Sequence, residues 1–158
     1  MDPLTRSLDL IFAAGHARSM EFLGKVPDDI LFTKPRDLPR TFTMFSVGEY
    51  IIRSAAEVEK TIGGITTRLW DDPFEWTLPE ELHSGSRVAD YLIEVELGRS
   101  SGFGYLASDA DLSRSIPAPE RMRTIFELLV GTLVRSAHYQ GRAFAVFQSF
   151  SDNKLPPP

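Results

Sequence analysis

The amino-acid sequence predicts an all-α fold, a four-helix bundle. Three observations carry that prediction. Apolar residues recur at helical spacing in four long segments. Prolines and capping residues bound those segments. No persuasive alternating pattern of a strand appears. The 158 residues, 42% hydrophobic and 25% charged, suit a single domain over 1–158 with a core that needs no staples.

The first segment opens at Asp2-Pro3, where aspartate fits the N-cap and proline the first helical position. Leu4, Leu8, Ile11, Phe12, Gly15, Ser19 and Phe22 follow at helical spacing, small residues filling two places. Pro27-Asp28-Asp29 ends it, and a loop broken by Pro35 and Pro39 follows.

The second segment has the clearest start. Ser46 and Glu49 form a capping box, in which the serine accepts from the Glu49 amide and the glutamate reaches back. Val47, Ile51, Ser54, Val58, Ile62, Ile65 and Leu69 make one stripe, and Gly63-Gly64 weakens its last turns. From Trp70 to Ser86 the chain is too polar and too broken by Pro73, Pro79 and Gly85 for a core helix; Thr77-Leu78-Pro79-Glu80 fits a single turn. Trp70, Phe74 and Trp76 in this link suit capping an end of the bundle.

The third segment runs from about Arg87 to Ala107, with Val88, Tyr91, Leu92, Val95, Arg99, Gly102 and Leu106 as its stripe. Gly98, Gly102 and Gly104 weaken its second half. Pro117 and Pro119 interrupt before the fourth, which opens with a second capping box, Thr124 and Glu127. Leu128, Leu129, Leu133, Val134, Ala137, Phe144, Ala145 and Phe147 occupy more than one face, as in a central helix or one that also buries a subunit contact. Phe144, Phe147 and Phe150 suit core, with a dimer contact as the other use. Asp152-Asn153 and Pro156, Pro157 and Pro158 close the chain. The long link between segments two and three has room to return along the bundle, which predicts an up-down-down-up arrangement.

Composition narrows the function classes. A net charge of −5 argues against a bulk electrostatic grip on nucleic acid or anionic lipid. Zero cysteines exclude disulfides, thiolate metal sites and a cysteine nucleophile. No run approaches the roughly 18 apolar residues needed to span a bilayer. The first residues lack the basic, apolar, small-residue succession of a signal peptide, so the expected address is the cytoplasm. Neither a nucleophile-elbow sequence nor a phosphate-loop motif occurs.

Two segments carry a likeness. Ser46-Val47-Gly48-Glu49-Tyr50-Ile51-Ile52-Arg53 resembles the opening of helix two in the DinB/YfiT-like superfamily. Arg135-Ser136-Ala137-His138-Tyr139-Gln140-Gly141-Arg142 resembles that family's helix-four signature, usually written H-x-x-H-H-R-G-Q. The resemblance implies a bundle that holds a divalent ion with one histidine from helix two and two from helix four at i and i+4. Residues four apart share a helix face, so two imidazoles reach one ion. Some relatives are thiol-dependent transferases or isomerases acting through that metal, and related bundles pair as homodimers.

This chain departs from the pattern at all three ligand positions, which align with Arg53, Arg135 and Tyr139. Arginine stays protonated and offers no lone pair. Shifting the register offers Ser54, or His138 with Val134 as its partner, and restores no histidine pair. His16, His83 and His138 read as surface or hydrogen-bonded core histidines, and no spacing selects Glu57 or Glu94 as ligands. The expectation is therefore no metal, no cofactor and no assigned catalytic residue.

If Arg53 and Arg135 converge, they repel a cation and suit a carboxylate or phosphate, with Tyr139 and His138 beside them. The competing structural reading pairs the arginines with Glu49, Glu57, Asp90, Glu94 or Glu96, so that polar contacts replace metal crosslinking. Three functions follow as expectations. One is a metal-free DinB-like protein binding a small anionic ligand or a partner at Arg53, Arg135, Tyr139 and His138. Another is a transferase- or isomerase-type enzyme with a degenerate metal site. The last is an interaction module acting through its surface, with a homodimer as the expected assembly.

Overall fold

A computed structural model describes residues 2–35, 44–73, 82–152 and 155–156. The predicted turn at Thr77–Glu80, the loop proline Pro39, the aromatic residues Phe74 and Trp76, and Asn153, Pro157 and Pro158 lie outside the described residues. Four long helices carry the fold: α1 (Pro3–Leu23), α3 (Val47–Thr67), α4 (Gly85–Phe103) and α6 (Ile125–Gln148). Two short helices, α2 (Asp28–Leu31) and α5 (Asp109–Leu112), and a two-stranded ribbon of β1 (Ser115–Pro117) and β2 (Met122–Thr124) complete the described elements.

Contacts between helices set their directions. Gln140 bonds Gly15 and Ser19 while Phe147 meets Phe22, so α1 and α6 run parallel. Tyr50–Arg142, Ser54–Ser136 and Thr61–Thr132 make α3 and α6 antiparallel. Phe12–Phe103 and the approach of His16 to Glu96 make α1 antiparallel to α4. Glu59–Tyr91 and the approach of Ile62 to Gly102 make α3 and α4 parallel. The order is up-down-down-up, as the long link predicts.

The stripes of α3 and α4 are buried as the periodicity requires, from Val47 through Ile65 and from Val88 through Gly102. The capping box of α3 is complete: Ser46 Oγ accepts from the Glu49 amide at 3.2 Å and Glu49 Oε2 accepts from the Ser46 amide at 2.8 Å. Gly98 and Gly102 do not break the helix of the third segment, while Gly104 caps its end at Phe103, before Ala107 is reached. A Cβ on Gly102 would stand 2.5 Å from Ile62 Cγ2, so the missing side chain is what lets α3 and α4 approach. Gly64 serves likewise against the Trp70 ring. Trp70 Nε1 donates to the Pro117 carbonyl at 3.1 Å, so this tryptophan ties the end of α3 to the ribbon.

The structure corrects four sequence expectations. First, a strand pair does form: Ser115 faces Thr124 and Pro117 faces Met122 in an antiparallel register. Three-residue strands are too short to display alternation. Second, Asp2 stands at the N-cap of α1, but its side chain does not bond its own helix. Third, the box at Thr124 is half formed. Thr124 Oγ1 accepts from the Glu127 amide at 3.1 Å, while the Glu127 carboxylate pairs with Arg121 instead. Fourth, Leu4 and Ile11 are exposed, because the buried stripe of α1 rotates onto Thr5, Leu8, Phe12, Ser19 and Phe22; Leu69 is exposed too, because it lies past the end of α3.

On α6, Phe147 is fully buried and Phe144 packs against Phe22 at 4.4 Å between ring centroids; Phe150, past the end of that helix, is exposed. Phe126, Val130 and Val134 are exposed on this helix.

Candidate functional site

The seam of α3 and α6 carries the residues singled out from the sequence. Its interior side is tied by hydroxyls: Ser54 Oγ donates to the Ser136 carbonyl at 2.9 Å, and the Thr61 and Thr132 hydroxyls bond at 2.6 Å. On its outer side, Arg135 Nε donates to Glu57 Oε2 at 2.6 Å and Arg135 Nη2 to Thr132 Oγ1 at 3.2 Å. The Arg53 guanidinium lies over the Phe45 ring, 4.1 Å from its centroid. Tyr139 packs beside Tyr50 at 6.4 Å, and His138 is exposed. Each of the four has its own neighbour. Arg142, not singled out from the sequence, donates to the buried Tyr50 hydroxyl at 3.1 Å.

A second feature lies on the other side of this seam. A cavity of about 380 Å³ is enclosed by α1, α3, α4 and α6. Its wall is chiefly apolar, with Phe12, Val58, Leu92, Val95 and Leu133. Ile11 and Ala14 of α1 and Ala137 of α6 both line it and reach solvent, which places the mouth between those two helices. Ala14, Gly15 and Ala137, which line it here, carry too little side chain to fill the space.

Polar groups stand at defined points of this wall. Arg99 is 4% exposed and chelates Glu96 through Nε and Nη2, each at 2.7 Å, while its Nη1 bonds Asp9. Burial opposes the charge of Arg99, but those carboxylates outweigh it and hold its pKa above the ordinary value. His16 is pushed below the ordinary imidazole value by burial first; Glu96 opposes that shift and Arg99 adds to it. Gln140, 5% exposed, donates from Nε2 to the Gly15 carbonyl at 3.0 Å and to Ser19 Oγ at 2.7 Å. Its Oε1 accepts from Arg18 Nη1 at 3.3 Å.

Sequence reasoning passed over this cavity. The available signal was Ser19 and Ser54 standing in otherwise apolar stripes. Polar residues at core-facing positions need partners or water, and here they face a hollow.

No protein-family model and no curated protein matches the chain. A search of solved structures finds a DinB-like protein, YjoA, from Bacillus subtilis, at a TM-score of 0.74 over 96% of each chain and at 17% identity. The chain has a DinB-like fold.

At that identity the likeness speaks to the fold alone. Whether this DinB-like bundle suits the three-histidine metal site implied by the resemblance is decided by its own residues. Arg135 already holds Glu57, Arg53 is stacked on Phe45, and neither guanidinium has a lone pair for an ion. The residues at those positions do not fit a divalent cation. Among the described residues, no group of three or more His, Asp or Glu side chains is placed to hold a metal ion. No helix of the described residues is long and apolar enough to cross a membrane.

Proposed function

We propose that this DinB-like protein binds a small molecule in the cavity between its four long helices, without the metal chemistry that the resemblance implies. The cavity itself carries the reading: about 380 Å³, mainly apolar, with a few convergent polar groups and a mouth between Ile11 and Ala137. Ligand sites commonly have this size and this lining. The ion pair of Glu57 and Arg135 supports the second half, because it crosslinks α3 and α6 where a metal would otherwise do so.

The test is thermal melting of the untagged protein with apolar probes such as indole and 1-octanol. A ligand at a hundred times its Kd raises stability by about 2.7 kcal/mol. Ala137→Phe puts a ring in the mouth and is expected to remove the rise. If the native protein and A137F respond alike to every probe, the reading fails. Elemental analysis addresses the enzyme alternative: near-stoichiometric zinc, nickel or iron that disappears on replacing His138 would restore a metal-dependent transferase or isomerase.

Self-association is a second reading, favoured by the exposed side chains of Phe126, Val130 and Val134 on α6 with Ile11 on α1. Light scattering on the purified protein distinguishes a homodimer from a monomer, and Val134→Glu is expected to dissociate the dimer. A monomer at every concentration ends this reading.

A further inference from the structure

We infer that the cavity takes a monocarboxylate with an apolar tail, its carboxylate held by Arg18 at the edge between α1 and α6. The inference rests on the cavity being a ligand site and names what that ligand carries.

The charged groups of the wall are not equally satisfied. Arg99 is matched by Glu96 and Asp9, and those two carboxylates are in turn held by Arg99. Arg18 differs. It is half-buried, lines the cavity, and donates to a neutral amide oxygen, Gln140 Oε1. Among the described residues no carboxylate lies within ion-pair distance of it. A guanidinium has five N–H donors, so one amide contact leaves most of them and the whole charge available.

Gln140 is pinned by the Gly15 carbonyl and Ser19 Oγ, which fixes the direction of its Oε1 and with it one edge of Arg18. A planar cation held in one orientation beside an apolar wall suits a carboxylate taken by two parallel bonds. Burial lowers the pKa of His16 and so disfavours a second cation there. Glu96 and Asp9 together outweigh the single charge of Arg99, and the net negative charge on that side of the cavity would repel a second negative end. The ligand is therefore a monocarboxylate, with its tail along Phe12, Val58 and Leu133.

The test is calorimetric titration with butanoate, hexanoate and octanoate beside 1-octanol. Octanoate is expected to bind more tightly than butanoate, since each added methylene is buried, and more tightly than 1-octanol. Arg18→Gln should weaken octanoate by roughly ten- to a hundred-fold, as for a lost charged hydrogen bond, and leave 1-octanol unchanged. The unchanged alcohol also certifies that the variant is folded. Equal affinity of octanoate for the native chain and R18Q would overturn the inference while leaving the cavity reading intact, as would 1-octanol binding as tightly as octanoate. If neither series binds the native chain, the cavity reading fails and this inference falls with it.

Discussion

Glu57 Oε2 accepts a hydrogen bond from Arg135 Nε at 2.6 Å, joining α3 to α6 across 78 residues of chain. The contact stands where the resemblance to DinB-like proteins would put a metal-bridged helix pair. An arginine at a ligand position is thus accommodated by a carboxylate one turn along the facing helix from Arg53. Arg135 is 46% exposed and Glu57 23%, so solvent screens the pair. A double-mutant cycle with Glu57→Gln and Arg135→Gln is expected to give a coupling of about 0.5–1 kcal/mol that shrinks in molar salt. A coupling of zero in urea melts at low salt would show that the seam does not depend on it.

The start of α1 is capped from outside its own helix. The Asp109 carboxylate accepts from the Leu4 amide at 3.2 Å and from the Thr5 amide and hydroxyl at 2.8 Å each, while the Asp109 amide donates to Asp2 Oδ2 at 3.0 Å. Burial pushes the Asp109 carboxyl up, and the hydrogen bonds from Thr5 and Leu4 outweigh it, leaving the pKa below the ordinary value. A lowered carboxylate pKa contributes stability that is present above the unfolded value and lost as pH falls through the folded one. Asp109→Asn is therefore expected to lower the melting midpoint at pH 7 and to narrow its gap from the native chain as pH drops below about 4. Amide exchange at Leu4 and Thr5, which should quicken in the variant, locates the effect at the first turn.

Gly102→Ala tests the close approach of α3 and α4. Alanine gains roughly 1 kcal/mol in helix propensity over glycine. The new Cβ meets Ile62 Cγ2 at 2.5 Å, and overpacking of this kind costs about 1–3 kcal/mol. The net expectation is a loss of up to about 2 kcal/mol, which disappears when the same change is made in an Ile62→Ala background, where no Cγ2 is left to meet the new methyl. A G102A protein as stable as the native chain would show that Ile62 repacks freely.

His16 makes stability depend on pH near neutrality. Burial lowers its folded pKa below the ordinary value of about 6.5, so the unfolded chain binds the proton more readily. The contribution is fully present above about 6.5 and fades as pH falls toward the lowered folded value. Chemical denaturation from pH 7.5 to 5 should show stability falling, with a shallower slope in His16→Gln. Slopes that coincide in the two proteins would remove His16 as the cause.

The helices, the capping box of α3 and most of the buried stripes were legible in the sequence because these depend on neighbours within a turn or two. Ser46 and Glu49 interact three residues apart, and Val88 through Gly102 share one face by periodicity alone. The absence of histidine at Arg53, Arg135 and Tyr139 was equally plain. Whether Arg135 would meet Arg53 or Glu57 was not, since a turn of α6 about its axis decides it. Asp109 capping α1, Trp70 tying α3 to the ribbon, and Ser19 and Gln140 meeting at a hollow all join residues distant in sequence. Periodicity states which face of a helix is buried; the direction and rotation of four packed helices decide which side chains face each other and where space is left between them.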